Sequence, residues 1–225
     1  MIKTLLREEF RLLTFRPVSA AVPAHWREFL LFGLLFTWLA GIGRYWDNPR
    51  AHLWQHLGLG SIVYVFVLAY VIWAMLISLR PKNWTYLNVL LFVTLTSPPA
   101  ILYAIPVERF MTQEAAVSAN VWFLGVVATW RVALYAVFLR RTARLSVAAV
   151  IVGTLLPIAI IIVMLAVLNL EHVVFNIMGG IRAEERSVND GAYEVVISLT
   201  VLSIILAPLL AIAYGVLVYR ARRNA

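Results

Sequence analysis

Arg131 lies well inside an apolar run, about nine residues from the run's basic end, or ~13 Å along a helix. An arginine at that depth costs roughly 2.5–3.5 kcal/mol unless buried acceptors or water offset it. No carboxylate is available at its depth to pair with it, because ten of the 11 acidic residues lie outside the apolar runs and Glu194 sits at the outermost end of the last. Uncharged acceptors must serve. Pro98 and Pro99 have no N–H to donate, so the carbonyls of Thr94 and Leu95 are expected to lack helical partners. Arg131 is accordingly expected to fasten its own helix to this break in another. The functional alternative is a polar, anion-attracting pocket in which Thr94, Thr96, Ser97 and Asn120 join Arg131.

His52 and His56 stand four apart on an expected helix, with Asp47, Glu171 and His172 assigned to the same membrane face. A zinc site can be drawn from them. The adjacent glutamate of the metalloprotease motif is missing, so interfacial polar residues are the better reading and no metal is assigned. The chain has no cysteine, which removes disulfides, thiolate metal sites and cysteine nucleophiles together. Intramembrane carboxylates, needed by proton-coupled pumps and aspartyl proteases, are missing too. No phosphate-binding glycine loop or G-x-S-x-G elbow occurs. No catalytic residue and no cofactor is assigned. The glycine pairs at 41 and 43 and at 58 and 60 read as close helix packing or flexible ends.

Of the 225 residues, 63% are apolar and 13% charged, against roughly 45–50% and ~25% in soluble domains. The expected fold is all-α and polytopic: a six-helix transmembrane bundle with an N-terminal amphipathic interfacial helix. Spans are placed at 29–46, 59–79, 84–105, 117–139, 145–168 and 193–219, each able to cross roughly 30 Å of hydrocarbon. The runs lack strand alternation, so helices are the spanning form. Residues 1–28 form the amphipathic segment, with Ile2, Leu5, Leu6, Phe10 and Leu13 on one face and Lys3, Arg7, Glu8, Arg11 and Thr14 opposite. The spans occupy 29–219, and 220–225 is a basic tail. The second helix is expected to begin near Pro49 and run through Gly58 and Gly60. The outer connection at 169–192 is read as the mobile one. Prolines at 98–99 and at 208 fall in the last helix of each three-span half, but random scatter of membrane prolines explains them better than an inverted repeat does.

Thirteen of the 19 basic residues fall on the side holding both termini and five on the other, with Arg131 between. The positive-inside rule therefore places both termini in the cytoplasm. Arginine outnumbers lysine 17 to 2, which suggests GC-rich coding and a bacterial cytoplasmic (inner) membrane. The net charge of +8 is read as topology and attraction to anionic lipid heads rather than nucleic-acid binding. Expected partners are the bilayer, those lipid heads, and a membrane protein or a second copy. The favoured function is a structural or interaction subunit. A small transporter or channel around Arg131 is the alternative, and a membrane-embedded enzyme comes third.

Overall fold

The computed structural model describes residues 1–43, 45–46, 52–168 and 191–223, with the side chains of 108, 113, 114, 117 and 191–196 excepted. Among the described residues there are helices and no strand. Among the described residues five helices are long and apolar enough to span a membrane, or six where the bent pair Tyr86–Leu95 and Pro98–Ala104 counts as one span. The chain is an all-α, multi-pass integral membrane protein. It divides into two compact units, one made of Met1–Pro106 and Val126–Leu145, the other of Val107–Gly125 and Ser146–Ala225.

In the first unit, α1 (Ile2–Leu13) and the single turn α2 (Ala21–Ala24) lead into α3 (Trp26–Gly43), a spanning helix. The amphipathic expectation for α1 holds, but with three faces instead of two. Leu5, Glu8 and Glu9 face inward at 8%, 1% and 6% exposure, whereas Ile2, Leu6 and Phe10 face outward at 72%, 53% and 60%. Lys3, Arg7 and Arg11 occupy the remaining arc. Such a helix suits the bilayer surface, where protein, hydrocarbon and water each take one arc. Its inner face joins Leu5 to Val22, Phe29, Leu91 and Leu95 in one apolar cluster, with Leu12 packed alongside.

Glu8 departs from the sequence expectation, which set it on the water face. Its Oε2 accepts the Ser19 N–H at 2.7 Å and its Oε1 lies 3.3 Å from both Arg7 and Arg11. The non-local Ser19 bond draws it inward. The other end of α1 is held by α7 (Gln113–Arg141): Trp130 Nε1 donates to the Leu13 carbonyl at 2.9 Å, and Arg141 donates to the Phe15 carbonyl. Carbonyls left open at a helix C-terminus thereby gain donors, one of them cationic.

α4 (Leu53–His56) is separate from α5 (Leu59–Leu76), so the helix expected to run unbroken through Gly58 is interrupted there. Gly58 takes φ 66°, and a Cβ at this position would stand 2.8 Å from the Trp38 carbonyl. Left-handed backbone in such close quarters is glycine's province. Trp38 Nε1 closes the contact by donating to the Leu57 carbonyl at 2.8 Å. Leu53, Trp54 and Leu57 remain exposed, as interfacial anchors would be. Gly41 lies against Ser61 and Gly43 against Ala104, as expected of packing glycines.

In the second unit, α8 (Val147–Val167) packs on α9 (Gly191–Arg223). The Ser146 hydroxyl accepts the Ala149 N–H at 3.3 Å and so caps α8. Pro157 and Pro208 lie inside these helices without breaking them, which leaves the prolines at 98 and 208 structurally unlike. Much of α9 is apolar and exposed: Ile205, Leu209 and Ile212 are 59%, 60% and 66% accessible, a surface for hydrocarbon or another helix. Of the expected outer connection, 169–192, residues 169–190 lie outside the described residues, and Gly191 and Ala192 already belong to α9.

Candidate functional site

The third span is broken where the proline pair placed the break. α6 (Tyr86–Leu95) stops at Leu95 and a 3₁₀ segment (Pro98–Ala104) follows, bent from it by 41°. The Thr94 carbonyl is not left open, contrary to expectation. It receives the Ser97 N–H at 3.1 Å. Counting only α-helical bonds makes this carbonyl an orphan, but tightening the last turn supplies a donor one residue nearer.

The hydroxyls around the break are buried and engaged. Thr94, Thr96 and Ser97 are 0%, 2% and 4% exposed. Thr94 Oγ1 donates to the Leu90 carbonyl at 2.9 Å, and Thr96 Oγ1 to that of Val93 at 3.0 Å. Ser97 Oγ lies 2.8 Å from Thr37 Oγ1 of α3, which is itself 2.8 Å from the Gly33 carbonyl. Gly33 lets α3 approach this closely: a Cβ there would stand 2.7 Å from Thr94 Oγ1 and 2.9 Å from the Thr94 backbone carbon. The group formed is thus Thr37, Thr94, Leu95, Thr96 and Ser97, with Pro98 and Pro99 partly buried at its edge. Arg131 belongs to the same unit and is half-buried on α7. Asn120 belongs to the other unit.

His52 precedes α4 and His56 ends it; the His52 N–H donates to Gln55 Oε1 at 2.8 Å. Among the described residues no three potential metal ligands come together. Asp47, Glu171 and His172 lie outside the described residues.

The adjacent carboxyls of α1, Glu8 and Glu9, are polar groups that residue spacing alone does not mark as a site. Glu9 is buried with neither oxygen bonded among the described residues, and burial pushes its carboxyl up to about 8. Burial also raises Glu8, but the Ser19 N–H and hydroxyl and the Arg11 guanidinium outweigh it and hold that carboxyl below its ordinary value. Their signal in the sequence is angular: at 100° per residue both project with Leu5 and Leu12, not with Lys3 and Arg7. Glu8→Ala is expected to strand the Ser19 N–H and lower stability by about 1–3 kcal/mol, readable as a lower melting temperature in detergent.

No protein-family model, curated protein or solved structure matches the chain.

Proposed function

We propose that the chain is a non-catalytic structural or interaction subunit of a bacterial cytoplasmic membrane, with both termini inside. The observation that carries this reading is the state of the helix break. Thr94, Thr96 and Ser97 spend their hydroxyls on neighbouring carbonyls and on Thr37, in surroundings sealed from solvent. The Thr37–Ser97 pair ties α3 to the break, and hydroxyls committed in this way offer little to a passing solute. Partners would be lipid heads at the basic rim, and a membrane protein or second copy along exposed apolar flanks such as that of α9. In this reading Arg131 locks α7 into the bundle.

The 41° bend favours a second reading, a small transporter or channel, because broken helices are the usual site of transported solutes. Cysteines introduced singly at Thr94, Ser97, Pro98 and Arg131 separate the two. In membranes, silence toward a small water-soluble thiol reagent is the expected result. Labelling at those positions would sink the scaffold and favour transport. Arg131→Ala adds a second readout: a helix lock predicts loss of folded protein, whereas an anion site predicts a folded protein that no longer binds its ligand.

A further inference from the structure

The first unit contains a cavity of about 400 Å³ that shares Leu95 with the helix break but none of its hydroxyls. One wall is the connection after α1, and the others are the first turns of α6 and the last turns of α7. These two helices pass it in opposite directions, since the turn before α6 is bonded to the turn after α7, Lys82 N–H to the Ala143 carbonyl at 2.9 Å. From the rim inward, Asn88 gives way to Leu95 on α6, and Arg141 to Leu134 on α7. Each descent covers about 10 Å of helix. The lining is therefore polar where the spans end and apolar at depth.

The mouth is also cationic. Arg16 and Arg141 line it, and Arg80, Lys82, Arg140 and Arg144 are exposed on the two bonded turns. Among the described residues neither lining arginine pairs with a carboxylate; Arg141 donates to the Phe15 carbonyl. An anionic group at the level of the headgroups and a hydrocarbon tail below it would complement both zones.

We propose that this cavity binds one anionic phospholipid, its phosphate against Arg16 and Arg141 and an acyl chain between Leu95 and Leu134. The proposal rests on the reading of a basic rim facing the cytoplasmic leaflet, and it turns a diffuse attraction into a defined site.

Native mass spectrometry of the full chain, extracted from vesicles of phosphatidylcholine and phosphatidylglycerol in equal parts, tests it. One phosphatidylglycerol per chain should be retained, with phosphatidylcholine about tenfold weaker. Arg16→Ala should lower retention about tenfold, and Arg16→Lys should restore most of it, since the side chain is exposed and the fold does not need it. Val137→Trp should fill the apolar end and lower retention with every charge in place. If that variant melts early, Leu134→Phe takes its place. Equal retention of both lipids, displacement by inorganic phosphate, or unchanged retention in a folded cavity-filling variant would overturn the site. None of these results bears on reagent access at Ser97 and Pro98, by which the scaffold reading stands or falls.

Discussion

Gly33→Leu is expected to leave no folded protein in the membrane, and Gly33→Ala to lower stability by about 1–3 kcal/mol. Even the single methyl of alanine would stand 2.8 Å from Thr94 Cβ and 2.9 Å from the Thr94 backbone carbon. Neither atom is the free end of a flexible side chain, so one helix backbone must move. Moving it separates Thr37 from Ser97, whose hydroxyls lie 2.8 Å apart with no solvent to replace them. Leucine adds three further carbons to the same space. Thermal melting of the alanine variant in detergent, and the yield of monodisperse leucine variant, are the measurements. A leucine variant that accumulates and melts as the wild type does would show that the approach of α3 to α6 is not as close as described.

The same pair of helices marks how far the sequence could be read. The break after Leu95 is local: two adjacent residues lacking N–H end a helix wherever they fall, so its position was legible. What became of the freed Thr94 carbonyl was not, because that depends on how tightly the final turn winds. The break at Gly58 is hidden from sequence for a similar reason. A glycine ahead of an apolar run is compatible with a continuing helix, and only the approach of the Trp38 carbonyl decides that it breaks. The spans needed no such detail, because length and hydrophobicity against a slab of hydrocarbon are one-dimensional properties. The basic cavity was out of reach altogether. It depends on Trp130 and Arg141 holding the end of α1 across more than a hundred residues of intervening chain.

Raising the pH from 6 to 9 is expected to undock α1, and Glu9→Gln to abolish that response. Glu9 is 6% exposed, neither of its oxygens is bonded among the described residues, and desolvation alone moves its carboxyl from 4.5 to about 8. In the docked state the proton is held more tightly than in the released state. Between about 4.5 and 8 the docked form therefore carries the extra proton, and its stability falls as pH rises through that window. Above it the anion has no hydrogen-bond partner among the described residues, at a cost on the order of a few kcal/mol, comparable to what holds a helix of this size. Glu8 acts in the opposite sense. Its lowered carboxyl contributes stability that is present above the ordinary carboxyl range and lost as pH falls through the folded value, so docking should be firmest in mildly acidic solution. Spin labels on cysteines at Lys3 and Arg144, both exposed, would report release of α1 as a longer and broader distance distribution at high pH. Glu9→Gln should keep the short distance throughout, and Glu9→Leu should also resist heat better than the wild type at pH 8, since an apolar side chain removes the buried charge altogether. A short distance that persists in the wild type at pH 9 would mean that the Glu9 carboxylate finds a partner or water when it ionises.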